Sequence, residues 1–373
     1  MGRLFIIGAG FSKAIAKNAP LAKNMLKTIW ENPEIYNNTS ESKYEVHKKA
    51  FISTLEFLHQ SVQKRIINLE KIALAGELDT DFEKFLDDLD VEFFCSYLDL
   101  LSTHLFRPKS KNKPVDLQGC SFSYLKELTH FQLKKALNFI DHSIVNLLLP
   151  SKLNVNSDIF DKLASFFKNE DAFISFNYDV LLEQMLYQKG LWNPFDGYEI
   201  EFKNKRDCQN SQTKVIKLHG SINWIPEDLP CFSELPQLRF NDPTNQKPFF
   251  SKLEGRDVPS KKIYPISAHI VAPTFMKNIQ YGWEFNLLKK MITQCQEATE
   301  IYLLGYRAPE SDYIANLIFS TISKTAKIKI VLWENRSFPA SILKKQFEKK
   351  YNLEPKNITP VNKKIEEWIE NPC

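Results

Sequence analysis

Four short stretches of this chain place groups capable of chemistry where an apolar run gives way to glycine or polar residues. The first is Gly8-Ala9-Gly10-Phe11-Ser12. Glycines there let backbone N–H groups approach a phosphate, the helix N-terminus adds partial positive charge, and Ser12 supplies a hydroxyl. The same residues suit a tight strand-to-helix turn capped by Ser12, so alone the stretch is not specific. The second is Ser175-Phe176-Asn177-Tyr178-Asp179. If the backbone turns there, Asn177 can hold a hydroxyl or water while Asp179 accepts from a carboxamide or ribose. Equally, Asp179 can cap the following helix and Asn177 satisfy the turn.

The third stretch is Lys217-Leu218-His219-Gly220-Ser221. An imidazole just past an apolar strand, followed by a glycine that lets the chain bend away, is placed to project into a cleft and exchange protons near neutral pH. A structural histidine is the alternative, and it is the default reading of His47, His59, His104, His130, His142 and His269. The fourth combines Gly305-Tyr306-Arg307 with Glu334-Asn335-Arg336 at the ends of two strands. These groups suit an adenosine ribose or phosphates, or else Arg307 and Arg336 form rim ion pairs of small energetic weight. The acidic run Asp81 to Asp90 reads as a solvated helix face.

Positioning these groups requires strands that end together. Leu4–Ile7 reads as a buried first strand and Phe11–Ala16 as the start of the next helix, with a further helical pattern over 21–30. Apolar strands recur at 171–179 and 214–225, then at 267–273, 300–306 and 327–335, separated by helical stretches at 180–187, 283–298 and 311–324. Alternation of this kind predicts an α/β fold with a doubly wound, parallel, Rossmann-like sheet, whose ligands sit at the carboxyl ends of the strands. A dehydrogenase of this class would place a second strand next, ending in an acidic residue roughly 20 positions after the glycines. Glu31 and Glu34 fall near that distance, but no strand leads into them. Residues 37–150 instead carry long 3.6-residue periodicity over 42–74, 81–106 and 122–148, with hardly any strand signal. They read as a helical lobe inserted into an α/β domain made of 1–36 and 151–373. The Pro-, Asn- and Ser-rich segment 226–265 reads as an irregular excursion.

Composition narrows the class. Hydrophobic residues make up 43% and charged residues 25%, so a sizeable core is available and neither disorder nor a fibrous repeat is indicated. The balance of 49 basic against 45 acidic residues gives little case for direct nucleic-acid binding. Apolar runs fall short of the roughly 20 residues that span a bilayer, and the first one breaks at glycine without a small-residue cleavage site. A cytoplasmic protein without membrane association is expected. Cys95, Cys120, Cys208, Cys231, Cys295 and Cys373 are scattered with no C-x-x-C pair, and read as core or surface thiols.

Taken in order, these stretches resemble the sirtuin-like superfamily, and more closely its bacterial branch of NAD hydrolases of antiphage defence. The resemblance is carried by "GAGFS", by "SFNYD" where sirtuins have T-Q-N-x-D, by "KLHG" where they have the catalytic histidine, and by "LLGY" and "VLWEN" where they bind the adenosine half of NAD. "AHIVAPTFMK", Ala268 to Lys277, is similar to a strand-end motif of the bacterial branch. Sirtuin deacylases carry a zinc ribbon built from two C-x-x-C pairs; none exists here, so no zinc ribbon and no metal are expected. Leu21, Ala22 and Lys23 follow Pro20 where sirtuins have Asp, Phe and Arg, and Arg307 stands where relatives often have serine.

The resemblance implies NAD as substrate, cleaved to nicotinamide and ADP-ribose. In that reading Gly8, Ala9, Gly10, Phe11 and Ser12 receive phosphate, and Asn177 holds the ribose or the attacking water. Asp179 meets the carboxamide, His219 is the base, and Gly305, Tyr306, Arg307, Glu334 and Asn335 hold the adenosine half. It also implies an NAD-depleting effector regulated by assembly, as a homo-oligomer or with a HerA-type ATPase or helicase partner. Alternatively, the apolar residues of the lobe form only its own core. Two other classes are an NAD- or ADP-ribose-sensing module without turnover and a protein deacylase.

Overall fold

The computed structural model describes residues 2–32, 41–63, 130–149, 152–193, 196–200, 211–217, 219–226, 238–240, 269–270, 282–308, 312–332 and 340–372, with isolated positions between 82 and 98. The chain enters as strand β1 (Arg3–Ile7), whose Phe5, Ile6 and Ile7 are completely buried. A strand covered on both faces needs apolar residues at every position, which is why Leu4–Ile7 is a continuous apolar run without alternation. Helices α1 (Ala9–Ile15), α2 (Ala22–Glu31), α3 (Glu41–Gln63), α4 (His130–Leu147) and α5 (Ser157–Phe166) follow before the chain returns to the sheet as β2 (Ala172–Ser175). Helix α6 (Leu181–Gln188) leads to β3 (Lys214–Ile216).

Four short strands come next: β4 (Gly220–Ser221), β5 (Trp224–Pro226), β6 (Leu238–Phe240) and β7 (His269–Ile270). Helix α7 (Gly282–Glu297) then precedes β8 (Glu300–Leu304), and α8 (Tyr313–Ser320) precedes β9 (Lys327–Val331). The chain closes with α9 (Ala340–Tyr351), β10 (Ile358–Val361) and α10 (Ile365–Trp368).

The main sheet has six strands in the order β10-β9-β8-β1-β2-β3, and every pairing in it is parallel. Counted along the chain, this is the 3-2-1-4-5-6 order of doubly wound dinucleotide folds, and the order reverses between β1 and β8. Register fixes where the strands end. Ile7 lies level with Ser175 on one side and with Leu304 on the other, so the turns after β1, β2 and β8 leave the sheet side by side. Ile174 pairs Ile216, which brings Lys217 and the turn after β3 to the same edge. Beneath that edge Phe5 stacks between Phe173 and Tyr302, with ring centroids 5.1 and 4.9 Å away, a cross-strand aromatic ladder that pins the register of the three central strands.

The run at 267–273 was expected to join the parallel sheet. Its described residues, His269 and Ile270, instead pair antiparallel with β4, outside the six strands. The sixth strand is β10, which the sequence did not announce because Pro360 interrupts a short run. Proline cannot donate to a ladder and is confined to sheet edges, and β10 is an edge strand.

Helices α2, α3 and α4 share a core separate from that of the sheet. Met25, Leu26 and Ile29 of α2 pack with Phe51 and Leu55 of α3 and with Phe139 and Ile140 of α4. Most of the apolar residues described there are buried in this cluster, with Trp30, Ile52 and Leu137 partly buried against it and Val46 exposed. It also takes in Val180 and Ile222, so the helical cluster rests directly on the turns after β2 and β4. No helix among the described residues is long and apolar enough to cross a membrane.

Candidate functional site

The turn after β1 is built by close approach of two backbones. A Cβ at Gly8 would lie 2.6 Å from the Cα of Tyr306, and one at Gly10 would lie 2.8 Å from the Cα of Gly305. Gly305 itself has φ +63°, a left-handed conformation that glycine adopts without strain. The N–H groups of Gly8 and Gly10 donate to the carbonyls of Leu304 and Gly305, at 3.1 and 2.9 Å. These glycines therefore let the turn after β1 nest into the turn after β8 at the switch point of the sheet, and their own N–H groups are taken by that contact. Ala9, Gly10, Gly305 and Arg307 are half-buried and form the accessible rim of the two turns.

Ser12 lies within α1 and is not its cap; the cap position is Gly8, with no side-chain hydrogen bond. The Ser12 hydroxyl points across to the turn after β2. It donates to Asp179 Oδ2 at 2.6 Å and accepts from Asn177 Nδ2 at 2.8 Å. The same Asn177 amide donates to the Gly8 carbonyl at 3.0 Å. Asp179 Oδ1 accepts from the Leu181 N–H at 3.1 Å, so this carboxylate serves the first turn of α6 while also holding Ser12. Ser12, Asn177 and Asp179 are all buried. A hydrogen-bonded buried cluster fixes side-chain geometry more tightly than an exposed turn does. The cap position of α6 is Val180, without a side-chain hydrogen bond, so Asp179 supports the first turn from one residue before the cap.

His219 reaches the same edge from the turn after β3. Its ring meets the edge of Phe176 at 5.0 Å, and Phe176 in turn stacks on Tyr306 at 4.3 Å with the rings nearly parallel. Tyr306 OH donates to Asp312 Oδ2 at 3.0 Å, and His219 Nε2 lies 3.5 Å from that oxygen. The structure therefore brings together Gly8–Ser12, Asn177, Asp179, His219 and Gly305–Arg307. Glu334, Asn335 and Arg336 lie outside the described residues, as does Leu218.

Two further positions at this edge were given no role in the motif reading. One is Asp312, which caps α8 by accepting from the Ala315 N–H at 3.0 Å. Its signal was an aspartate before the apolar run Tyr313–Phe319, which any helix start shows. The other is Lys217, whose side chain is fully buried. Its ammonium donates to the Asp179 carbonyl at 2.5 Å, to Ser221 Oγ at 2.8 Å and to Glu183 Oε1 at 2.9 Å. It ties the turn after β2 to the turn after β3. Tyr198 OH also donates to Glu183 Oε1, at 3.0 Å, and accepts from Asn223 Nδ2 at 3.0 Å. Burial first, and the Glu183 charge second, hold the Tyr198 phenol well above its ordinary value, so it stays a donor.

This arrangement offers a buried amide, a hydroxyl and an imidazole at the carboxyl ends of neighbouring parallel strands. An amide can orient a hydroxyl or a water, and an imidazole beside a carboxylate can take a proton. Among the described residues, no group of three or more His, Cys, Asp or Glu could hold a metal ion. Compared with known families, residues 171–356 match the SIR2-like domain. No curated protein matches the chain. The matched span holds Asn177, Asp179, His219, Gly305 and Asp312, whereas the glycine turn that completes the cluster precedes it.

Proposed function

This chain belongs to the SIR2-like family, whose function is NAD-related, and we propose that it is an NAD glycohydrolase. The reaction consumes NAD and water and yields nicotinamide, ADP-ribose and a proton. The observation that supports this reading is that the hydrogen-bonded group Ser12–Asn177–Asp179 and the His219–Asp312 pair are joined through the ring contacts of Phe176 with His219 and Tyr306, at the point where the strand order reverses. Ligands of open α/β sheets bind at that point.

In the proposed cycle the bond between C1′ of the ribose and the nicotinamide nitrogen breaks, and its electron pair leaves with the neutral nicotinamide. Positive charge builds on the ribose. Asn177 orients a ribose hydroxyl or the incoming water from a position already fixed by Gly8 and Ser12. Water bonds to C1′ while His219 accepts its proton. The residues do most by positioning, since a held water and a held ribose convert a bimolecular encounter into an internal step. Asp179 acts through Ser12 and the first turn of α6, with direct contact to the carboxamide a second role. The rim formed by Ala9, Gly10, Gly305 and Arg307 faces the pyrophosphate and adenosine, with Glu334 and Asn335 following β9.

The test is nicotinamide release from NAD by the purified full chain, followed by chromatography. The wild-type protein is expected to release nicotinamide and ADP-ribose in equal amounts, and Asn177→Ala and His219→Ala each to lose roughly 100-fold or more in kcat. An H219A protein that turns over at the wild-type rate refutes the assignment of the base. Nucleotide binding without release would favour a sensing module, and an O-acyl-ADP-ribose product a deacylase. Control of the enzyme by self-assembly or by a HerA-type ATPase belongs to the same proposal, together with an NAD-depleting role in antiphage defence. The support for such control is the seat of the helical cluster on Val180 and Ile222, next to Asp179 and near His219.

A further inference from the structure

We infer that Asp312 is the positioning residue of His219, holding the proton on Nε2 so that Nδ1 is the nitrogen that accepts one; the inference rests on the NAD-cleavage reading above. Asp312 is 2% exposed and His219 7% exposed, so both groups are largely withdrawn from water. A carboxylate placed there keeps its charge only where donors converge on it. Oδ1 takes the Ala315 N–H, and Oδ2 takes the Tyr306 hydroxyl and faces His219 Nε2 at 3.5 Å. That distance is a charge contact at the outer limit of a hydrogen bond, of the kind that tightens when a ligand closes an active site.

The geometry also holds the imidazole from its other sides. Phe176 presents its ring to His219 at 68°, and the same Phe176 is clamped flat against Tyr306. Tyr306 thus serves twice, as the stacking partner of Phe176 and as a hydroxyl donor to Asp312. The ring position is therefore set by the turns after β2, β3 and β8 at once. Among the described residues, the charged and titratable groups around the imidazole include Asp312 and Tyr306 from the β8 side, and Tyr178 from the β2 side at 6.2 Å between centroids. Asp179 lies on the same turn as Tyr178, with its carboxylate held by Ser12 and Leu181. Lys217 precedes His219 on the β3 side, with its ammonium given to Glu183.

Asp312 thus stands nearest, and its negative charge favours the imidazolium that forms when His219 takes a proton from water. In that step an O–H bond of water breaks and an N–H bond forms at Nδ1. The product imidazolium is paired through Nε2–H with Asp312, which itself stays ionised.

The test uses the full chain labelled with ¹⁵N in histidine, with the His219 signals assigned by their loss in H219A. Wild-type protein at high pH is expected to show the Nε2–H tautomer at His219; the Nδ1–H tautomer overturns the inference without any variant at Asp312. Asp312→Asn keeps an equally good helix cap while removing the charge, and Asp312→Ser does the same should the amide fold poorly. In either variant the His219 titration midpoint is expected to fall by about one pH unit. The acidic limb of kcat should move down in pH with it, kcat should drop by roughly 10- to 100-fold, and KM should change little. A loss of activity with an unchanged midpoint and an unmoved limb would mean a capping role alone. Absence of nicotinamide release from wild type would refute the NAD-cleavage reading, and the tautomer and midpoint would still decide whether Asp312 governs the imidazole.

Discussion

Replacing Lys217 by methionine removes one ammonium and leaves three acceptors behind. The side chain is fully buried, and its partner Glu183 is buried with it. In the variant the Glu183 carboxylate keeps the Tyr198 hydroxyl at Oε1, while Oε2 has no hydrogen-bond partner among the described residues even in the intact protein. Breaking a buried pair from one side costs about 3–5 kcal/mol, because the remaining charge is stranded away from water. For a chain of this size that corresponds to a fall in melting temperature of roughly 5 °C. Removing both charges in Lys217→Met/Glu183→Leu relieves the stranded carboxylate but leaves the Tyr198 hydroxyl without its acceptor, so about 1–3 kcal/mol should return.

Urea unfolding of wild type, both single variants and the double variant, followed by circular dichroism, yields the coupling energy directly. Nicotinamide release by the double variant then separates stability from positioning. The Asp179 carbonyl and Ser221 lose their shared donor in it, so a folded but slow enzyme is expected. A K217M protein within about 1 kcal/mol of wild type would refute the reasoning, as would additive single and double effects.

Other expectations follow from particular residues. Gly305→Ala should destabilise the protein by about 1–3 kcal/mol in thermal unfolding, because φ is +63° there and a Cβ would lie 2.4 Å from the Phe11 nitrogen. Burial pushes the Asp141 carboxyl up to about 7, and its Oδ1 has no hydrogen-bond partner among the described residues. A folded value above the unfolded one means that the unfolded chain releases this proton first. The contribution of Asp141 is therefore complete below about pH 4 and is lost as pH rises to about 7. Asp141→Asn should remove that part of the pH dependence of stability, and a variant whose melting temperature falls between pH 4 and pH 8 as steeply as that of wild type would contradict it. Burial also pushes the Cys295 thiol up to about 12, so it should resist iodoacetamide at pH 8 in the folded protein and react once unfolded, as read by mass spectrometry of its peptide.

Much of the frame was legible because buried parallel strands announce themselves. Leu4–Ile7 and Glu300–Leu304 are apolar runs bounded by glycine, and the polar residues that follow them mark the carboxyl edge where ligands bind. What the sequence did not disclose was non-local. Nothing in Ser12 points to Asp179, although the two side chains share a hydrogen bond across 167 residues of chain. Asp312 looked like any helix cap, and only the packing of Tyr306 on Phe176 reveals that it also faces His219. Lys217 directly follows β3, and its partners arrive from α6, from the turn after β2 and from β4. The glycines of the first turn were read as room for a phosphate. Their close neighbours are Gly305 and Tyr306, a requirement set by a segment distant along the chain.

The central claim is that the turns after β1, β2, β3 and β8 form one NAD site. A crystal structure of the slow H219A protein soaked with NAD tests it most directly. The account predicts the nicotinamide ribose against Asn177, and the pyrophosphate along the rim formed by Ala9, Gly10, Gly305 and Arg307. NAD bound away from these four turns, with Asn177 and the Asp312 edge free of ligand, would contradict it.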